Sequence, residues 1–392
     1  MTALSPQVIH PFPARMAPEI VRDAVAELDP ETRFLDPMCG SGVTVRLAIE
    51  QGMNVLGFDI DPLAALMSRV WTTRIDIHRF LRDARAAVDR ACSSDYDTTP
   101  LPWQDAETWQ YIKYWFDHPQ IDALVRLSKA IADCETKSQE ALKIALSRIV
   151  VTKDRGASLA RDSSHSRPHK SWKTNDYDVL NGFIKSARVM ANRLNTASIK
   201  GTSSIDVGDC RSLTTVEDNS VDCTVTSPPY LNALDYIRGH RLSLVWLGFS
   251  LTDLRAIRSS SVGAERGLGG VDDDIMRYVT EAGQESLAEF PAKCKGWLRR
   301  YTADASGLIS ELARILRTDG KLVLVVGNSF LRGYKVDNAM MFKDTLIDKG
   351  FHDVSHVERS IPSQNRYLPP PDGSSPLATR MRTEVILTGF AP

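Results

Sequence analysis

Four consecutive residues, Ser227-Pro228-Pro229-Tyr230, collect groups suited to holding a planar amine. They follow an apolar run, VDCTVT (221–226), that reads as a strand. Two prolines cannot donate to a sheet ladder, so the strand stops there and leaves carbonyl oxygens as acceptors. Ser227 adds a hydroxyl and Tyr230 an aromatic face. This set is rich in acceptors and poor in acids and bases. It suits transfer of an alkyl group to the exocyclic amine of a nucleobase. The lone pair of such an amine is conjugated into the ring, which makes the nitrogen a poor nucleophile. Accepting both N–H hydrogens on the fixed oxygens of Ser227 and Pro228 would turn the nitrogen toward tetrahedral geometry and free that pair. Positioning and oriented dipoles then do most of the work. Stacking on Tyr230, worth roughly 1–3 kcal/mol, helps offset the few kcal/mol needed to extrude a base from a duplex. The competing reading is a proline-rich strand exit with Tyr230 as a half-buried packing residue.

A second constellation lies earlier, in DPMCGSG (36–42) and FDID (58–61). Asp36, Pro37, Cys39, Gly40 and Gly42 follow a short apolar run, where glycines permit a sharp turn and close approach to a bound molecule. Asp59, followed by Ile60, ends the next apolar run, where a carboxylate can accept from the two hydroxyls of a ribose. A dinucleotide site wants GxGxxG, and the third glycine is missing. A phosphate loop wants GxxxxGK[ST], and the turn has no lysine. Asp36 would repel a pyrophosphate and suit an ammonium group, as on S-adenosylmethionine. The competing reading is a tight strand–helix turn with no ligand.

Regular elements must carry both sets. An amphipathic helix is expected over 17–28, with Ile20, Val21, Ala24, Val25 and Leu28 at helical spacing. Strand 33–39, a helix ending at Gly52, strand 54–61 and a helix begun by Pro62 then give β-α-β-α, the pattern of a parallel sheet with crossover helices. Residues 105–150 carry apolar positions at helical spacing, and 152–176 read as an irregular loop. Strands return at 204–210 and 221–226. A less regular segment over 239–298 precedes a helix near 301–317, a strand at 321–330 and a helix near 337–349. Two extended segments, 353–361 and 383–390, are placed to pair antiparallel, with a proline-rich loop between them.

The chain has 392 residues, 48 Lys and Arg against 49 Asp and Glu, and a net charge of -1. Such a balance excludes a chain coated in basic residues, so any nucleic-acid site must be a local patch. The longest aliphatic run, Leu322 to Val326, is far short of a membrane span. The expected location is the cytoplasm. Six cysteines lack CxxC pairing and zinc-finger spacing, so they read as reduced, buried small residues, and no metal is expected.

These residues resemble the amino-methyltransferase family of DNA methyltransferases, which act on cytosine-N4 or adenine-N6. SPPY (227–230) looks like the family's catalytic [DNS]PP[YFW], and DPMCGSG like its glycine turn. HPFPARMAPEI resembles the family's additional N-terminal motif, which assigns His10, Pro11, Phe12 and Pro13 to the methionine end of the cofactor. The resemblance likewise gives Asp59 to the ribose and Asp209, beside Cys210, to the adenine amine. It implies S-adenosyl-L-methionine as cofactor, duplex DNA with a flipped base as partner, and a cognate restriction endonuclease as a possible companion. The implied fold is α/β, class I methyltransferase-like (Rossmann-like): a seven-stranded, mainly parallel sheet with an antiparallel last strand, plus a mostly helical insertion. The expected division is a cofactor-binding half (1–76), a helical insertion with a basic loop and a possible target-recognition role (77–200), a catalytic strand region (201–238), an irregular insertion (239–300) and the remainder of the catalytic domain (301–392). Serine at the first motif position resembles the cytosine-N4 group, with adenine-N6 second. Motif order shows no circular permutation.

DNA contacts are expected first from 148–173, where seven basic residues face two acidic ones, interleaved with serines, histidines and Trp172. The named candidates are Arg155, Arg161, His165, Arg167, His169 and Lys170. Arg238 and Arg241, downstream of the catalytic motif, and Arg366, in the proline-rich loop, extend the set. The competing reading is a solvated basic loop. Rival functions are an RNA methyltransferase, a non-catalytic nucleic-acid-binding protein on the same fold, and a nucleotide-dependent dehydrogenase.

Overall fold

A computed structural model describes residues 7–93, 97–134, 138–161, 168–195, 198–231, 235–264, 274–281, 287–361 and 383–392. Seven strands form the main sheet: β1 (Arg33–Asp36), β2 (Asn54–Asp59), β3 (Thr202–Val207), β4 (Val221–Thr226), β5 (Leu316–Val326), β6 (His352–Ser360) and β7 (Thr383–Phe390). Their order is β6-β7-β5-β4-β1-β2-β3. β7 runs antiparallel to β5 and β6, and every other pair is parallel. This is the class I methyltransferase-like sheet that the sequence led us to expect.

Side chains alternate across the pleat and build two cores. Phe34, Val225 and Val323 face one core, and their neighbours Leu35, Leu322 and Leu324 face the other. Strands buried on both faces read as continuous apolar runs, which explains Leu322–Val326. On the first face lie α1 (Pro18–Val25), α2 (Val43–Gln51) and α3 (Pro62–Thr72). They are followed by α4 (Ile77–Cys92), α5 (Ala106–Trp115), α6 (His118–Ala132), α7 (Gln139–Val150) and α8 (Val179–Asn195). In α4 the buried residues are Phe80, Ala84, Ala87 and Ala91. That narrow stripe of mostly small side chains lets α4 approach α6 and α8 closely.

After β4 come α9 (Tyr236–Leu244) and α10 (Leu251–Ser260). The second face is covered by α11 (Ala292–Ile315) and α12 (Asn338–Asp348). Three expectations need correction. Residues 239–300 are not simply irregular. Ser250 and Asp253 cap each other's backbone in a reciprocal box that starts α10, and Leu251 and Leu254 are its buried anchors. α11 begins at Ala292 rather than near 301, because Cys294, Trp297, Leu298 and Tyr301 already form a buried helical stripe. The strand expected over 321–330 begins instead at Leu316 and ends at Val326. Ser329–Leu331 belongs to a separate antiparallel sheet with Tyr334–Val336 and Val279–Glu281.

Among the described residues no helix is long and apolar enough to cross a membrane. Nor does any group of three or more His, Cys, Asp or Glu side chains stand where it could hold a metal ion. All six cysteines are free thiols, and Cys92, expected to be buried, is exposed.

Candidate active site

Strand order reverses between β1 and β4, and in open α/β sheets the crevice beyond the carboxyl ends at such a point is where ligands bind. Both motifs emerge there, since Leu35 of β1 is in register with Thr224 of β4. Thr226 Oγ1 donates a 2.6 Å hydrogen bond to Asp36 Oδ1 and so ties one motif to the other. Around this bond opens a cleft of about 400 Å³. Asp36, Pro37, Cys39, Gly40, Asp59, Ile60, Asp209, Cys210, Ser227, Pro229, Tyr230, Phe12 and Arg238 all line it.

The glycine turn is built by short bonds. Gly40 N donates to Asp59 Oδ2 at 2.8 Å, and Ser68 Oγ donates to the Gly40 carbonyl at 2.9 Å. Gly42 is not in the cleft wall. Its φ is 89°, and a Cβ there would lie 2.9 Å from Ser68 Oγ and 3.0 Å from Ser68 Cα. Glycine at 42 therefore serves the packing of α2 on α3. With Gly42 at its N-cap, α2 has no side-chain cap, and Val43 and Thr44 of its first turn face the cleft.

The cleft floor is acidic. Burial pushes the Asp36 carboxyl up to about 6, against hydrogen bonds from Thr226, Met38 and Thr44 that favour its charged form. Burial, aided by the neighbouring charge of Asp61, pushes Asp59 up to about 7. Asp61 is the N-cap of α3, and its other oxygen accepts from His240 Nδ1 on α9. Sequence reasoning missed that pair, whose partners are 179 residues apart. Asp209 reaches the cleft but is held by Arg211, with Nε–Oδ1 at 2.9 Å and Nη2–Oδ2 at 2.6 Å. Burial alone would raise the Asp209 carboxyl, and the Arg211 bonds overcome this and hold it below the ordinary range.

The N-terminal segment reaches the cleft through Phe12. Its ring stacks on Tyr236 at 5.3 Å and leaves only 3.2 Å for a Cβ on Gly40. His10, Pro11 and Pro13 do not line the cleft. His10 is buried, donates Nδ1–H to the Pro11 carbonyl at 2.6 Å and accepts from Ser147 Oγ at 2.9 Å. With the contact of Arg148 to the Ile9 carbonyl, it fastens the segment to α7.

In the second motif the Ser227 hydroxyl donates to the Val325 carbonyl at 2.9 Å, which commits its hydrogen and leaves its lone pairs to accept. Tyr301 Oη donates to the Pro229 carbonyl at 2.8 Å. Pro228 is buried next to the lining residues Ser227 and Pro229, and among the described residues no donor engages its carbonyl. Burial, with Glu384 adding and Ser227 opposing, pushes the Tyr230 phenol up to about 12, so it stays neutral.

None of the described residues of the basic stretch lines the cleft. Arg155 pairs with Asp176 and lies over Trp172, Arg161 donates to the Lys153 carbonyl at 2.9 Å, and Lys170 donates to the Tyr114 carbonyl at 2.9 Å. His169 pairs with Arg161 in an antiparallel ladder two residues long. Arg148, counted among the seven cations, is desolvated, with its pKa lowered to about 10. Arg241 lies over the Tyr111 ring, away from the cleft. His165, Arg167 and Arg366 fall outside the described residues.

No protein-family model matches the chain. The chain is similar to the Type II methyltransferase M.MvaI of Kocuria varians. The two are 22% identical over 422 residues, covering 96% of this chain and 89% of the relative. Among solved structures, it superposes on a SAM-dependent methyltransferase from Methanosarcina mazei with a TM-score of 0.36 and 9% identity, over 96% of this chain and 99% of the other. The rRNA methyltransferase aviRa from Streptomyces viridochromogenes gives a TM-score of 0.31 and 10% identity, over 97% and 89%.

Proposed function

We propose that the protein is an S-adenosylmethionine-dependent DNA methyltransferase acting on the exocyclic amine of a flipped base, cytosine-N4 in the first place. The observation that carries this reading is the Thr226–Asp36 hydrogen bond, which fuses the glycine turn and the SPPY motif into one cleft. Likeness to a Type II methyltransferase over 96% of the chain supports it.

The floor fits the cofactor. Its methionine end carries an ammonium and a sulfonium, and Asp36 supplies a buried carboxylate and Asp59 a half-buried one for a cation, while no lysine lines the cleft among the described residues. Asp59 has each oxygen engaged by one backbone N–H, from Gly40 and Asp61, which fixes its plane and leaves lone pairs for ribose hydroxyls. Phe12, held on Tyr236, closes the wall over Gly40. When bound, S-adenosylmethionine supplies an electrophilic methyl group.

The rest of the work falls to the chain's own residues. Ser227, its hydrogen spent on Val325, accepts one N–H of the target amine. The Pro228 carbonyl accepts the other. Together they release the amine lone pair from conjugation, with preorganised dipoles rather than a strong base. Tyr230 stacks the base, and its neutral phenol adds no charge to the pocket. Serine at 227, rather than Asp or Asn, supports cytosine as the first choice.

Purified protein with methyl-labelled S-adenosylmethionine and mixed-sequence duplex DNA is expected to give acid-stable label in DNA. Ser227→Ala should lower the rate while retaining cofactor affinity by calorimetry. No label in DNA, with labelled RNA in a parallel reaction, contradicts the proposal.

A further inference from the structure

The cleft is divided by charge. Asp36, Asp59, Asp61 and Asp209 lie on its floor, while Arg15, Arg238, Arg255 and Arg258 stand around it. Two of these arginines are already paired, Arg255 with Glu107 and Arg258 with Asp235. For Arg15 and Arg238 no carboxylate partner exists among the described residues. Both side chains are exposed at the cleft.

The backbone is shaped to put them there. Ala14 takes a left-handed φ of 50°, unusual for a residue with a Cβ, immediately before Arg15. Asp235 caps α9 through Arg238 N at 3.1 Å and so sets the first turn that carries Arg238. The two residues come from different elements, one from the N-terminal segment that Phe12 anchors and one from the helix that follows the catalytic motif, and the stacking of Phe12 on Tyr236 holds those elements together. Asp235 also holds Arg258 Nε at 2.6 Å, which keeps a third guanidinium close to Arg238.

Two unpaired cations flanking the mouth of a cleft with an acidic floor favour a ligand that is positive or neutral inside and negative outside. A nucleotide presented base-first has that polarity, because its phosphates remain at the rim. Guanidinium groups are the side chains best matched to phosphate oxygens.

We propose that Arg15 and Arg238 form a phosphate clamp at the cleft, gripping the DNA strand beside the base delivered to Ser227 and Tyr230. This rests on the function proposed above. It assigns the local backbone contact to the cleft itself and not to the basic stretch at 148–173, where Arg148, Arg155, Arg161 and Lys170 are engaged elsewhere.

Fluorescence anisotropy with a labelled, mixed-sequence single-stranded DNA 20-mer tests it across a salt series. Loss of two phosphate contacts lowers the slope of log K against log salt by about 1.4, at roughly 0.7 per contact for single strands. R15Q/R238Q is expected to show that drop, and R15K/R238K, which keeps the charge, to recover most of it. The comparison variant is R155Q/R161Q/K170Q. If wild-type protein binds with a salt-dependent slope that R15Q/R238Q leaves intact while the triple variant flattens it, the clamp is wrong and the function stands. If the wild-type protein does not bind DNA at all, both fail. Circular dichroism melting of each variant separates these results from misfolding.

Discussion

Thr226→Val isolates the bond that joins the two motifs. Valine keeps the shape of the side chain and removes the hydroxyl that donates 2.6 Å to Asp36 Oδ1. Thr226 is fully buried and Asp36 is 2% exposed, so no water is at hand to replace the donor. When Asp36 is ionised, the lost bond is one to a charged acceptor, worth about 1.5–3 kcal/mol. When Asp36 is protonated, the bond is neutral and worth about 0.5–1.5 kcal/mol. The sign follows from linkage. The folded-state carboxyl is raised from 3.8 to about 6, so the folded state binds the proton more tightly. That stabilisation is fully present below pH 4 and is lost as pH rises through about 6. Removing Thr226 takes away a group that favours the charged form, raises the carboxyl further and extends the loss upward in pH. Urea unfolding at pH 5 and pH 8, at one ionic strength, should therefore show a larger destabilisation at pH 8. A loss at pH 8 under about 0.5 kcal/mol, the ordinary size of a surface substitution, or an equal loss at both pH values, would refute the reasoning.

Gly42→Ala should destabilise by about 1–2 kcal/mol for the left-handed backbone plus about 1–3 kcal/mol for overpacking on Ser68. Gly248→Ala, also at positive φ but with nothing within 4 Å, should show only the first part, and equal urea midpoints for the two would be the contrary result. Through Asp59, S-adenosylmethionine affinity by calorimetry should rise about tenfold from pH 6 to pH 8, because a site needing ionised Asp59 with a carboxyl near 7 is competent in about one-eleventh and then ten-elevenths of molecules. Asp59→Asn should remove that part and leave the roughly twofold change expected from Asp36, whose carboxyl near 6 goes from half to almost fully ionised over the same range, and a dependence that persists at full size removes the assignment. Tyr230→Ala should slow methyl transfer by about 5- to 150-fold, the equivalent of roughly 1–3 kcal/mol of stacking, with cofactor affinity little changed. Tyr230→Phe should keep most of the rate, and an unimpaired alanine variant would remove the stacking role.

The parts of the site that were legible in the sequence are those where residue type constrains the backbone itself. Prolines 228 and 229 end β4, and Gly40 and Gly42 both take positive φ after β1. The apolar run Val385–Leu387 marked the extended segment 383–390, which is β7 with its observed limits, and its antiparallel pairing with the segment before it is observed. What stayed hidden depends on partners far along the chain. His10 was assigned to the cleft because of its motif, yet its bond to Ser147, 137 residues away, turns it into an anchor. A count of cations over 148–173 cannot reveal that Arg155 meets Asp176 or that Arg148, half-buried, is spent on the N-terminal segment. Arg15 and Arg258 stand singly in the sequence and become neighbours of the cleft only through the fold. Helix α10 is a different case, since Ser250 and Asp253 carried a capping signal that the glycine-rich run downstream obscured.

The most direct measurement is nucleoside mass spectrometry of genomic DNA from an expression host that lacks its own DNA methyltransferases. The expected result is cytosine methylated on its exocyclic nitrogen, present with the wild-type chain and reduced with Ser227→Ala. Methyladenine in its place would keep the cleft chemistry and overturn the role of Ser227 in base choice. Unmodified DNA from cells containing soluble, folded protein would contradict the central claim.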